Sequence, residues 1–297
     1  MVKVSLTVRR ERLWFIILVS PAIIGFLIWN VIPILASGVI SLTSLRMLGD
    51  WEWVGLDNYK YLFFEDIVFY KSVRVTLYYT LVSVPLKLIV ALLLAMLLNK
   101  NVAALPVFRT IYYLPSIVPT IATSILFMYV FDTDFGLLNY ILNFLSINKI
   151  NWLGDDRWAM PALILMSLWE VGPLMIIFLA GLQGVPRTYY EASQIDGANK
   201  LQQFFNITLP MITPTLFFNL VISIIGSIQT FVQAYIMTEG GPNNSTLFYI
   251  LNLYFTAFQD FSMSLASALS WILFVFIAIL SYIVFKTSKH WVYYEGK

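Results

Sequence analysis

The chain has 297 residues, of which 60% are hydrophobic and only 11% charged, with a formal net charge of +2. Soluble domains are about 25% charged, so this composition excludes a water-soluble protein, and so small a positive excess gives nucleic acid no footing. With no cysteine and one histidine, His290, it also excludes disulfides, thiolate metal centres and Cys–His catalysis.

A helix spans a bilayer with about 20 apolar residues, because each rises about 1.5 Å through a core about 30 Å thick. Six stretches satisfy this: 13–41, 73–98, 110–131, 159–182, 211–238 and 262–286. The first follows Lys3, Arg9, Arg10 and Arg12, as a secretory signal would. Its charge-free run to Arg46 is far longer than a signal's apolar core of about 7–15 residues, so it is expected to be retained. Some stretches exceed the bilayer thickness, which predicts tilt or kinks. Trp51, Trp53, Trp152, Trp158, Tyr112 and Tyr113 fall near span ends and are expected to anchor at the membrane interface.

Lys and Arg near span ends favour the cytoplasmic side. They occur in the N-terminal arm, at Lys100 and Arg109, at Arg187 and Lys200, and at Lys286, Lys289 and Lys297. The 239–261 loop has none, and the 132–158 loop sets Lys149 and Arg157 against Asp132, Asp134, Asp155 and Asp156. Both termini are therefore expected inside, which requires an even number of spans and agrees with six. The chain divides into an arm, first span and outer loop at 1–72, a core of five spans at 73–288, and a short cytoplasmic tail at 289–297.

Catalytic patterns are missing. A phosphate-binding loop would end in Gly-Lys-Ser/Thr, and the only Gly-Lys pair is Gly296-Lys297. The carboxylate pairs Glu65-Asp66 and Asp155-Asp156 lie in loops, where solvated surface is the default reading. The chain is expected to be catalytically silent, and any energised work needs another subunit.

The inner segment 187–210 reads as helix, turn, helix. Pro186 and Arg187-Thr188 suit a helix start, and Gly197 can take the left-handed conformation that ends one. A second helix over 198–208 would carry Leu201, Phe204, Phe205 and Leu209 on neighbouring faces, with Pro210 expected to break or kink it. An amphipathic inner loop suggests a docking surface.

Glu191-Ala192-Ser193, Asp196-Gly197-Ala198, Phe204, Ile207 and Leu209-Pro210 together resemble the EAA loop of ABC importer permeases. Only Ser193 departs from the pattern, where the family usually has Ala. Gly55-Leu56-Asp57-Asn58-Tyr59, Ala180-Gly181-Leu182-Gln183 and Thr238-Glu239-Gly240-Gly241-Pro242-Asn243-Asn244-Ser245-Thr246 resemble segments of the carbohydrate branch, on the maltose-permease side. The resemblance implies an all-α type I permease of six transmembrane helices in a bacterial plasma membrane. It implies a heterodimer with a second permease, two ATPase subunits that bind ATP and magnesium, and an extracellular solute-binding protein delivering a sugar. This chain itself would need no cofactor. By position, Glu191 and Asp196 would fix the loop or pair with basic groups, Ala192 and Ala198 would allow close approach, and Gly197 would form the turn. Gly240, Gly241, Pro242, Asn244 and Thr246 would face the binding protein.

Lys87 and Glu170 are the charges well inside the expected spans. Intramembrane charges usually pair, reach water or line a pathway. They are expected to face the permease interior and to lie toward each other; the alternative is that Lys87 snorkels to an interface and Glu170 is protonated or bonded to a neighbouring helix. A sugar path needs hydroxyl-bonding groups and flat rings, for which Asn219, Ser223, Gln229, Gln233, Trp169 and Tyr235 are candidates. Asn219 and Ser223 share a face at a spacing of four, as do Gln229 and Gln233. The same polar groups could instead hold helices together. An importer for glycerol phosphate or a related solute, a stand-alone secondary transporter and a non-transporting scaffold remain as rival readings.

Overall fold

A computed structural model describes residues 6–45, 51–100 and 105–293, and among these no strand forms beyond an isolated bridge between Thr43 and Trp53. Lys3, Arg46 and Lys297 lie outside the described residues. The first stretch is helical from α1 (Leu6–Phe26) through a π-turn (Leu27–Val31) to α2 (Ile32–Ile40). Then come α3 (Asp57–Phe64) and α4 (Ile67–Leu98). The third stretch splits into α5 (Leu105–Tyr113), a 3-10 turn (Leu114–Ile117) and α6 (Thr120–Val130), followed by the surface helix α7 (Leu137–Phe144). The fourth splits into α8 (Ala159–Ser167), a 3-10 turn (Leu168–Glu170) and α9 (Gly172–Gln183). Three short helices follow, α10 (Arg187–Ile195), α11 (Lys200–Gln203) and α12 (Leu209–Met211), with a π-turn at Phe204–Thr208. The fifth stretch is α13 (Thr213–Ile228) and α14 (Val232–Met237). The chain ends with α15 (Tyr249–Phe258) and α16 (Met263–Trp291).

Among the described residues four helical stretches are long and apolar enough to cross a membrane, and two bent pairs, each counted as one span, bring the number to six. The bends are the main departure from the sequence expectation. The third stretch turns by 97° between Ile117 and Thr120, and the fourth by 49° between Glu170 and Gly172. Pro115, Pro119 and Pro173 sit at these sites, where a missing N–H and a fixed φ interrupt the helical ladder. The fifth stretch is interrupted at Gln229–Phe231, so Gln229 and Gln233 do not share a continuous helical face.

The chain forms two compact units, 1–65 with 253–274, and 66–252 with 275–297. In the first, the Trp271 indole N–H donates to Ser37 Oγ at 3.2 Å. Asn58 Nδ2 donates to the Ser41 and Thr43 carbonyls, both at 2.8 Å, and Ser41 Oγ bonds the Tyr59 hydroxyl at 2.8 Å. These bonds fold the segment Gly55–Tyr59 back onto the end of the first helical stretch.

The second unit is built on α4, which packs against both α9 and α13. Ala91 and Ala95 are fully buried and bring α9 close, where Met175 and Phe178 fill the interface. Small residues at such contacts let helix backbones approach when lipid supplies no hydrophobic drive between helices. Trp152, expected as an interface anchor, is instead tied into the 132–158 loop. Its indole N–H donates to Asn139 Oδ1 at 3.1 Å.

Candidate functional site: a coupling surface and a transport path

The 187–210 segment is a folded two-helix loop. α10 ends in paired backbone bonds, Gly197 N–H to Gln194 O at 3.1 Å and Ala198 N–H to Ser193 O at 2.9 Å. This is the pattern that a left-handed residue closes at a helix C-terminus. Gly197 supplies it at φ +77, and a Cβ added there would meet no heavy atom within 4 Å, so conformation rather than space demands glycine. Asn199 starts the next helix with a reciprocal cap. Its Oδ1 accepts from Gln202 N–H at 2.9 Å, and Gln202 Oε1 accepts from Asn199 N–H at 2.8 Å. Pro210 does not end the helical path, which runs on through α12 and breaks at Ile212.

Side chains bind the two helices together. Gln203 Nε2 donates to Ser193 Oγ at 3.0 Å, and the Tyr190 and Thr208 hydroxyls bond at 2.9 Å. Ser193, the one departure from the EAA pattern, thus supplies a cross-link that alanine would lack. Glu191, Ala192, Asp196 and Gly197 are exposed, whereas Ala198, Phe204, Ile207, Leu209 and Pro210 are half-buried. Neither Glu191 nor Asp196 makes a side-chain bond to another described residue, so both are available to a partner. The most exposed apolar side chain is Ile195, at 87%, with Leu201 at 67% and Phe205 at 56%. Sequence patterning missed Ile195, because a lone apolar residue beside Asp-Gly reads as a buried helix end.

The loop is continuous with two long helices. At one end it joins α9 through residues 184–186, and at the other it leads through α12 into α13. The tail meets the same region: Tyr293 N–H donates to Thr213 Oγ1 at 2.9 Å, and Trp291 packs on Phe217 with ring centroids 6.0 Å apart.

At the far end of α9 lies the bend that carries Trp169 and Glu170. A Cβ on Gly172 would stand 2.6 Å from the Tyr112 carbonyl oxygen and 2.9 Å from Tyr113 Cα. The broken fourth stretch therefore crosses the broken third stretch backbone to backbone at this glycine. Trp169 and Glu170 stay partly exposed beside the crossing. Lys87 and Glu170 form no ion pair within 4.0 Å. They are not a contact pair. The Lys87 ammonium lies 5.8 Å from the centroid of the buried Tyr79 ring.

The other path candidates fall into two groups. Asn219 and Ser223 share a buried face of α13, and Asn219 Nδ2 donates to the Leu174 carbonyl at 3.1 Å, so Asn219 ties α13 to α9. Gln229 is exposed at the break of the fifth stretch, and Gln233 and Tyr235 are partly exposed just beyond it. The Tyr235 ring stacks on Phe231 at 5.5 Å and 14°.

The 238–248 loop is tightly folded. Thr246 is fully buried, its hydroxyl bonded to that of Thr238 at 2.7 Å, and Gly240 is buried as well. Gly241 and Pro242 are partly exposed around a cis peptide bond. Glu239, Asn243 and Asn244 form the exposed tip, and the Asn243 carbonyl accepts from Lys71 Nζ at 2.6 Å.

Residues 75–290 match the family described as "Binding-protein-dependent transport system inner membrane component". A probable ABC transporter permease protein of Bacillus subtilis, YesP, is 44% identical over 99% of this chain and 96% of its own length. The trehalose/maltose transport system permease MalF of Thermococcus litoralis is 31% identical over 96% of each chain. The fold matches a chain of a bacterial alginate ABC transporter, solved in complex with an alginate pentasaccharide-bound periplasmic protein. The TM-score is 0.83 at 23% identity, covering 95% of this chain and 96% of that one. With its all-α type I permease fold and multiple apolar helices, the chain belongs to the family of binding-protein-dependent transport system inner membrane components.

Proposed function

We propose that this permease forms one half of the translocation path of an ATP-driven importer for a sugar or oligosaccharide. A second, non-identical permease completes the path. Two ATPase subunits bind ATP and magnesium at the inner face, and a solute-binding protein delivers the sugar outside. Both termini lie in the cytoplasm of a bacterial cell, and this chain performs no hydrolysis. A carbohydrate substrate is supported by the trehalose/maltose system of the Thermococcus litoralis relative.

The observation that carries the reading is the exposure of three apolar side chains, Ile195, Leu201 and Phe205, on a loop whose own turn and caps are satisfied internally. Exposed apolar side chains on a rigid scaffold mark a docking surface. Closing ATPases would move this loop as a body. α9, with 12 residues, would carry the displacement about 18 Å to the bend at Glu170. α13 would move with it, held by the bond from Asn219 to Leu174. Trp169 and Glu170 at the bend, and Gln229, Gln233 and Tyr235 at the break of the fifth stretch, supply the rings and hydrogen-bonding groups for a sugar, while Asn219 and Ser223 hold the helices. Glu239, Asn243 and Asn244 present the tip that meets the binding protein, shaped by Gly240, Gly241, Pro242 and Thr246.

Uptake into proteoliposomes containing the complete complex tests this. Uptake requires ATP in the compartment facing the 187–210 loop. Uptake by this chain alone, driven by an ion gradient, would establish a secondary transporter instead.

A further inference from the structure

The 132–158 loop holds a cavity of about 480 Å³ beside the end of α6, lined among others by Tyr129, Phe131, Asp132, Thr133 and Asn151. Small-molecule sites run to about 300–1,000 Å³ and combine apolar walls with a few placed polar groups. Here the buried Phe131 contributes to the lining, and Tyr129, 66% exposed, offers an open ring.

The polar edge is held in place by the loop's own backbone. Asp132 Oδ1 accepts from the backbone N–H of Asp134 at 2.8 Å and of Phe135 at 3.1 Å. Asn151 Oδ1 accepts from Thr133 Oγ1 at 3.2 Å and from Gly154 N–H at 2.9 Å. Each side chain is thus fixed through one atom. The other atom, Asp132 Oδ2 or Asn151 Nδ2, takes no partner among the described residues. The result is one free acceptor and one free donor on two side chains that line one cavity.

The scaffold beneath is rigid. Asn139, 2% exposed, donates through Nδ2 to the carbonyls of Thr133 at 3.0 Å and Ile150 at 2.8 Å. Its Oδ1 accepts from Ile150 N–H and Trp152 Nε1, both at 3.1 Å. One buried amide therefore joins the two chain segments that carry these side chains. From the cavity lining a row of rings runs from Phe131 to Phe127 at 5.5 Å and from Phe127 to Trp169 at 5.8 Å, ending beside Glu170.

We propose that this cavity is a receiving site for one neutral sugar ring on its way to the bend at Glu170. The inference rests on the carbohydrate reading and on the outward placement of the 132–158 loop. Asp132 Oδ2 accepts from one ring hydroxyl, Asn151 Nδ2 donates to its neighbour, and the apolar face of the ring lies against Tyr129. An acidic sugar is disfavoured by the Asp132 carboxylate.

Asp132→Asn and Asn151→Asp test the site, because each keeps the Oδ1 that holds the loop and replaces only the free atom. The complete reconstituted transporter is offered radiolabelled maltose, lactose and arabinotriose with binding protein in excess. Sugar carried per ATP hydrolysed is expected to fall about tenfold in each variant, the usual consequence of losing a placed hydrogen bond in a site. ATP hydrolysis stimulated by the loaded binding protein is expected to stay within about twofold of wild type, since the docking tip is elsewhere. Unchanged uptake in both variants overturns the site. Uptake and hydrolysis falling together at a constant ratio also overturns it, assigning these residues to binding-protein docking. Absence of uptake of all three sugars by the wild-type complex overturns the carbohydrate reading itself, and this site with it.

Discussion

Gln203 Nε2 donates a hydrogen bond to Ser193 Oγ at 3.0 Å, joining the two helices of the loop that links α9 to α13. Ser193 stands where the EAA pattern usually has alanine, so this chain holds its loop together with a bond that the pattern does not require. Ser193→Ala is expected to cost about 1 kcal/mol locally. Amide exchange over residues 200–203 should then quicken about fivefold, read by mass spectrometry.

Gly197 is bound by its backbone, not by its neighbours. With φ at +77 and open space around it, substitutions should rank by their tolerance of the left-handed region. Gly197→Asn is expected to keep most ATPase binding. Gly197→Ala should cost about 1 kcal/mol and Gly197→Val more, because β-branching is least compatible with positive φ. Co-purification yield of the ATPase across the three variants measures the ranking.

Ile195 is 87% exposed, so Ile195→Asp should leave the melting temperature of the permease within about 2 °C of wild type, as for most surface changes. The same change should weaken ATPase binding about tenfold or more, the scale of a lost apolar anchor. Titration of the purified ATPase against detergent-solubilised permease, with a thermal melt of the permease alone, gives both numbers.

Gly172→Ala should be severe for a steric reason. Its Cβ would meet the backbone of Tyr112 and Tyr113, which cannot rotate away as a flexible side chain would. Loss of about 3 kcal/mol or more, or failure of the permease to accumulate, is expected by thermal melting and membrane yield.

Asn139→Ala removes five bonds from a buried site and leaves backbone groups of Thr133 and Ile150 without partners. Each such group costs about 1–3 kcal/mol. Protease cleavage confined to the 132–158 loop, with the rest of the chain intact, is the expected result.

Hydropathy located the helical stretches to within a few residues, since apolar length is what a membrane selects: 13–41 is observed as Leu13–Ile40, and 262–286 as Met263–Trp291. It could not see the interruptions, because averaging over a window erases a two-residue break. Pro115, Pro119 and the pair Gly172-Pro173 carried that signal locally, while the interruption at Gln229–Phe231 has no proline of its own. The turn at Gly197 was legible because glycine is the residue that takes the left-handed region most freely. The reciprocal cap of Asn199 and Gln202 was legible in principle as a spacing of three. Asn139 was not, because its role depends on two segments that meet only in the folded loop. The charges Lys87 and Glu170 could be placed at similar depth from sequence, but not at a separation, which depends on helix rotation and the bend.

The central claim is that residues 187–210 transmit the work of partner ATPases to the bend at Glu170. The most direct measurement is ATP-dependent sugar uptake by the reconstituted complex carrying Ile195→Asp together with Gly197→Val, compared with wild type at equal membrane content. The account predicts uptake reduced to background while the permease remains inserted and folded. Uptake at the wild-type rate with ATPases still bound would contradict it.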